Sequence, residues 1–200
     1  MNPTLGATPS AGRGDESRGR PRSYHHQRAI PVRGERRETP MIHLGHCLWF
    51  DDQAQEAAEF YCSVVPGSRV LEVSRYAADT PSDKPLGSVM TVEFELAGVR
   101  YTGLNGGPHF TPDEAFSIVL RTDTQEETDH YWAALLEGGG QESQCGWLKD
   151  RYGISWQVYP TELDELTTHE DPEVARRATE VMLTQRKIEM GPIRAAALGG

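Results

Sequence analysis

Residues 42–67, IHLGHCLWFDDQAQEAAEFYCSVVPG, read as one strand, one helix and a stop. The apolar run Ile42 to Phe50 is short and rich in aromatics, as strands are. Asp52 then offers a helix N-cap, and Gln55, three residues on, completes a capping box. Ala54, Ala57, Ala58, Tyr61 and Val65 recur at helical spacing until Pro66-Gly67 ends the pattern. Three strand-like runs follow: Arg69–Tyr76, Ser88–Leu96 and Val99–Asn105, the last two joined by the turn Ala97-Gly98. The unit is βαβββ.

The same grammar then starts again. Phe116–Thr122 reads as a strand, Asp123 and Glu126 as a second capping box, and Tyr131, Trp132, Leu135 and Leu136 as a buried helical stripe that Gly138-Gly139-Gly140 terminates. Asp52 and Asp123, Tyr61 and Trp132, and Gly67 and Gly138 all stand 71 residues apart, which points to an internal repeat. Gly146–Lys149 and Ile154–Tyr159 close the second unit. Residues 161–200 read as a helical tail, with Pro172 at a first turn and Val174, Ala178, Val181 and Met182 on one face. The expected fold is therefore α+β: two tandem βαβββ modules over residues 41–160, forming a cleft between curved mixed sheets, with C-terminal helices.

Residues 1–40 are of another kind, with Gly, Pro, Ser and eight arginines against four acids. Such a segment buries too little to offset its ordering entropy, so it is expected to be a disordered, dispensable basic extension, with Met41 a candidate start. Its net +4 leaves -14 of the chain's -10 total on the remainder. An acidic domain argues against a nucleic-acid partner, because phosphate binding relies on clustered Lys and Arg. No apolar run reaches the roughly 18 residues of a membrane span, so no membrane partner is expected. Three cysteines without a C-x-x-C pair, Cys47, Cys62 and Cys145, suit reduced thiols in a cytoplasmic protein. Trp49, Trp132 and Trp156 fall on faces turned toward the helices and are read as core. Cys145 is read as a small buried hydrophobe, with a nucleophilic role as the lesser alternative.

Several motifs resemble the vicinal oxygen chelate superfamily, in particular its PhnB-like branch: Leu48-Trp49-Phe50-Asp51 leading into Ala57-Ala58-Glu59-Phe60-Tyr61, then Leu104-Asn105-Gly106-Gly107-Pro108, and above all residues 144–158, QCGWLKDRYGISWQV. Metal-using members of that superfamily, which include glyoxalase and fosfomycin-resistance enzymes, place one ligand on the first and one on the fourth strand of each module. The resemblance then implies His46 and, by the 71-residue offset, Ser117 on the first strands. Four residues beyond the turn glycines Gly98 and Gly153, it implies Thr102 and Gln157. A divalent ion in an enzyme wants about three ligands drawn from His, Cys and carboxylates. This set offers one, so neither a metal nor another cofactor is expected, although Glu93 or Glu95 could complete a centre. Strand alternation places Arg100 beside Thr102, Arg121 beside Ser117, and Ser155 and Tyr159 beside Gln157. His109 and Phe110 lie on the inter-module loop, able to reach over the cleft.

The ligand-binding set is thus His46, Arg100, Thr102, Ser117, Arg121, Gln157 and Tyr159, and its arginines favour an anionic or carbonyl-bearing small molecule. A binding protein without a metal centre is one expectation, and a glyoxalase- or dioxygenase-type metal-dependent lyase or isomerase is the alternative. A third reading, an interaction protein, draws on the amphipathic segment 173–187. Members of this branch have often carried the name demethylubiquinone methyltransferase. Methyl transfer from S-adenosylmethionine would ordinarily need a Gly-rich strand-to-helix turn, and here Gly106-Gly107 runs into Pro108 while Gly138–Gly140 follows a helix. A homodimer is expected, because sheets of this kind leave open edges.

Overall fold

The computed structural model describes residues 42–79 and 83–199, and the expected arm, residues 1–40, lies outside the described residues. The first module comprises β1 (His46–Phe50), α1 (Ala54–Val64), β2 (Arg69–Arg75), β3 (Val89–Leu96) and β4 (Val99–Asn105). Its strands form one mixed sheet in the order β1-β4-β3-β2, with β1 parallel to β4 and the other pairs antiparallel. Ala97 and Gly98, both at positive φ, make the two-residue turn of the β3–β4 hairpin.

The second module repeats the topology with β5 (Ile118–Thr122), α2 (Gln125–Leu136), β6 (Gln141–Glu142), β7 (Trp147–Lys149) and β8 (Ser155–Pro160), in the order β5-β8-β7-β6. Alternation along each strand gives each sheet two faces. Leu48, Phe50, Val92, Phe94 and Tyr101 turn inward onto α1, and Ile118, Leu148, Trp156 and Val158 turn inward in the second module. All belong to one buried cluster that spans both modules. Tyr61 of α1 ties them together, since its ring meets Phe94 at 6.2 Å and Trp156 at 5.4 Å between centroids.

Two expectations about helix starts are corrected. Asp52 does not cap α1: the N-cap residue is Gln53, without a side-chain bond, and the first amide, Ala54 N–H, donates instead to Asn105 Oδ1 at 2.8 Å. The cap comes from β4, whose last residue sits beside the helix start. At α2 the box lies one residue later than Asp123/Glu126. Thr124 accepts from Glu127 N–H at 3.1 Å, and the Glu127 carboxylate accepts from Asp123 N–H at 2.9 Å. The first strand is also shorter than its apolar run. Ile42 and Leu44 are 80% and 90% exposed, because the ladder to β4 begins only at His46.

The tail forms α3 (Thr161–Thr167), α4 (Pro172–Met182, with Asp171 capping) and α5 (Met190–Leu198). Leu163, Leu166, Val174, Ala178, Ile188, Met190 and Ile193 make a second buried cluster that includes Tyr159 of β8. The amphipathic face of 173–187 is therefore covered within the chain, which removes the basis for the interaction-protein reading. Gln125, the first residue of α2, clasps this tail, donating to Ile188 O at 2.8 Å and accepting from Met190 N–H at 2.9 Å.

Candidate functional site

Sheet parity decides which predicted residues meet. In β4, Tyr101 faces the core and Thr102 faces outward. In β1, Leu48 and Phe50 are inward, so Cys47 and Trp49 are outward and His46 is not. The register agrees: Cys47 stands opposite Thr102, and His46 opposite Tyr101. His46 thus lies on the other face from Thr102, with its ring against Tyr101 (5.3 Å) and Phe116 (5.8 Å). The 71-residue offset holds for the helix caps Gln53 and Thr124. In the strands, outward Cys47 and Trp49 match outward Ser117 and Val119 at a spacing of 70. A one-residue slip in the strand-to-helix connection flips every side chain to the opposite face, so Cys47 takes the place assigned to His46.

The second module's predicted residues do come together. Gln157 Nε2 donates to Ser117 Oγ at 2.8 Å on the outward face of β5 and β8. Further along that face, the Arg121 guanidinium lies 5.6 Å from the centre of the Tyr159 ring and donates to Asp164 Oδ2 at 2.9 Å. In the first module, Thr102 Oγ1 donates to Glu93 Oε1 at 2.7 Å, Glu95 pairs with Arg69 at 3.0 Å, and Arg100 is exposed.

A hollow of about 190 Å³ opens where the two modules meet. Its walls are Cys47 and Trp49 of β1, Ile154 and Ser155 at the start of β8, and the inter-module loop with Phe110, Asp113 and Phe116. Trp49, read as core, is a wall of this hollow. Its indole meets Phe110 edge-on at 4.9 Å and donates from Nε1 to Gly107 O at 2.8 Å. Gly106 is needed for that seat, because a Cβ there would come within 2.1 Å of the indole. The loop is tied down at its far end, where Ser155 Oγ reaches Asp113 O at 3.4 Å and Lys149 pairs with Glu114 at 2.7 Å. Strand alternation was the signal that separates Cys47 and Trp49 from the core, once Leu48 and Phe50 are assigned to it.

The outward positions equivalent to metal-ligand positions now hold a thiol, two hydroxyls and an amide: Cys47, Thr102, Ser117 and Gln157. They do not suit a divalent ion. Burial, and then the negative charge of Glu93, raise the Cys47 pKa above the usual thiol value, which keeps the sulfur protonated at neutral pH. Among the described residues, no three His, Cys, Asp or Glu side chains are grouped to hold a metal ion. Nor does the β1-to-α1 turn, Asp51-Asp52-Gln53, carry the glycines of a nucleotide-binding turn.

The family model described as 3-demethylubiquinone-9 3-methyltransferase matches residues 43–159. The chain belongs to that family. A PhnB protein from Bacillus cereus, whose solved structure bears the same description, is similar at 30% identity and a TM-score of 0.50, covering 58% of this chain and 98% of its own. A protein of Pseudomonas aeruginosa aligns at 20% identity and a TM-score of 0.49, covering 60% and 98%. The fosfomycin resistance protein FosX of Mesorhizobium loti aligns at 14% and 0.41, covering 58% and 90%. A comparison with curated proteins gave no match. The family match and the similarity to the Bacillus cereus PhnB protein bear out the PhnB-like resemblance, and the match ends at Tyr159, just before α3.

Proposed function

We propose that this PhnB-like protein binds a small molecule along the outward face of the module seam, without a resident metal ion. The observation that carries the reading is one hollow walled by the outward Cys47 and Trp49 of β1, by Ser155 of β8 and by the aromatics of the inter-module loop. Trp49 and Phe110 suit an apolar or aromatic body. From Ser155 the outward face of β8 leads to the Gln157–Ser117 pair and then to Arg121, groups able to hold a carbonyl or anionic end, while Tyr159 is packed in the tail cluster beneath the guanidinium. The ligand is therefore expected to be flat and to carry one such polar end.

Glu93 favours the metal-dependent lyase or isomerase as the second reading, because it stands within reach of Thr102 and near Cys47. Thr102 and Gln157 are poor ligands, and among the described residues no three His, Cys, Asp or Glu side chains are grouped to hold an ion. A homodimer is proposed as well, since β1, β2, β5 and β6 all lie at sheet edges. Light scattering at micromolar concentration tests it, and a monomer mass would exclude it. For the site, 8-anilinonaphthalene-1-sulfonate, with an aromatic body and one anionic group, serves as the probe. Saturable binding at one site per chain, weakened at least fivefold in Trp49→Ala, is expected. Equal affinity in both proteins would place the probe elsewhere and overturn the reading.

A further inference from the structure

The tail brings one carboxylate onto the proposed ligand face. Asp164 lies in the first turn of α3, on a helix that starts directly after β8 and is fastened by Leu163 and Leu166 in the second buried cluster. Its Oδ2 accepts from Arg121 Nε, and Arg121 in turn lies over the Tyr159 ring. Both members of the pair keep about half their side-chain surface exposed (54% for Arg121, 49% for Asp164), so solvent and solutes reach the guanidinium from the side that Asp164 leaves open. The family match stops at Tyr159, so this carboxylate belongs to a part of the chain that the family model does not include.

We propose that Asp164 sets the charge requirement at the Arg121 end of the seam: it occupies the guanidinium as an internal carboxylate, and a ligand's anionic group binds there only by displacing it. The inference rests on the proposed ligand seam. Neutral ligands would leave the pair closed and gain nothing from Arg121, whereas anionic ones would compete with Asp164 for the same donors. Asp164 is a positioning residue, acting through Arg121. An exposed ion pair contributes little, so displacement by a better-placed anion is feasible and removal of the competitor should be readable but modest.

The test titrates full-length protein with 8-anilinonaphthalene-1-sulfonate and with N-phenyl-1-naphthylamine, which has the same aromatic body and no charge. Asp164→Asn should tighten the anionic probe about three- to fivefold and leave the neutral probe unchanged. Asp164→Glu should restore the wild-type affinity, and Arg121→Gln should weaken the anionic probe alone. A tightening of both probes would mean that α3 merely shields the face, and no change in either would mean that Asp164 does not compete. Both results overturn the proposal. Failure of the seam itself would look different: wild-type affinity for both probes would then be unaffected by Trp49→Ala.

Discussion

Replacing Asn105 by alanine should be among the most damaging single changes to the first module, and its size can be worked from two bonds. Asn105 is 4% exposed. Its Oδ1 accepts from Ala54 N–H at 2.8 Å and its Nδ2 donates to Val89 O at 3.1 Å, so one side chain holds the start of α1 to the strands. Removal leaves the Ala54 amide buried without an acceptor. A buried unsatisfied donor costs about 1–3 kcal/mol, and a lost cap alone about 1 kcal/mol of that. With the freed Val89 carbonyl added, Asn105→Ala should lose roughly 2–4 kcal/mol. For a folded domain of this size 1 kcal/mol is about 2–4 °C, so the Tm should fall by roughly 4–16 °C. Asp52→Ala, which removes the cap expected from sequence, should stay within about 0.5 kcal/mol, since Asp52 is exposed. Urea and thermal melts of the two variants side by side decide the matter. A loss under about 1 kcal/mol for Asn105→Ala, or a larger one for Asp52→Ala, would refute the tertiary cap.

Gly106→Ala should push the Trp49 indole off its seat against Gly107 O, costing about 1–3 kcal/mol by overpacking and changing the near-UV circular dichroism of the tryptophans. Unchanged spectra would contradict the packing described. Thr124→Ala should cost about 1 kcal/mol through the α2 capping box, measured by urea denaturation. Asp150, buried and accepting from Trp156 Nε1 at 2.8 Å, has its carboxyl raised chiefly by that burial. A group raised on folding contributes most below its unfolded pKa of about 4 and loses that contribution as pH rises through the folded value. The stability deficit of Asp150→Asn against wild type should therefore be larger at pH 4 than at pH 7, and a deficit that grows with pH would show the opposite sign of shift.

Much of the architecture was legible because periodicity is a property of local sequence. The alternation of Val92, Phe94 and Leu96, the stripe Tyr131, Trp132, Leu135 and the glycine stops at Gly67 and Gly138 place six of the eight strands and both module helices close to where they occur. The first strand was drawn too long, since an apolar run does not reveal where its pairing partner begins. Strand β6, two residues long, has no pattern of its own and exists through pairing with β7. The α1 cap was hidden because its acceptor lies 51 residues away in sequence. Within the site, Gln157 was counted from its own turn glycine, Gly153, and Ser117 was reached by the 71-residue offset from His46, and the two side chains meet. His46 was misplaced because the repeat spacing changes by one residue between helix and strand, and a single residue changes the face. Arg121 lies on the same outward face as Ser117, as alternation placed it, but its partner Asp164 lies in the tail, which no repeat logic connects to β5.

The most direct measurement of the central claim is a crystal structure of chelator-treated protein with 8-anilinonaphthalene-1-sulfonate bound. The account predicts the naphthalene against Trp49 and Phe110, the sulfonate toward Gln157 and Arg121, and no ion bridging Cys47, Thr102, Ser117 or Gln157. A probe bound away from Trp49, or one that binds only after a divalent metal is restored, would contradict it.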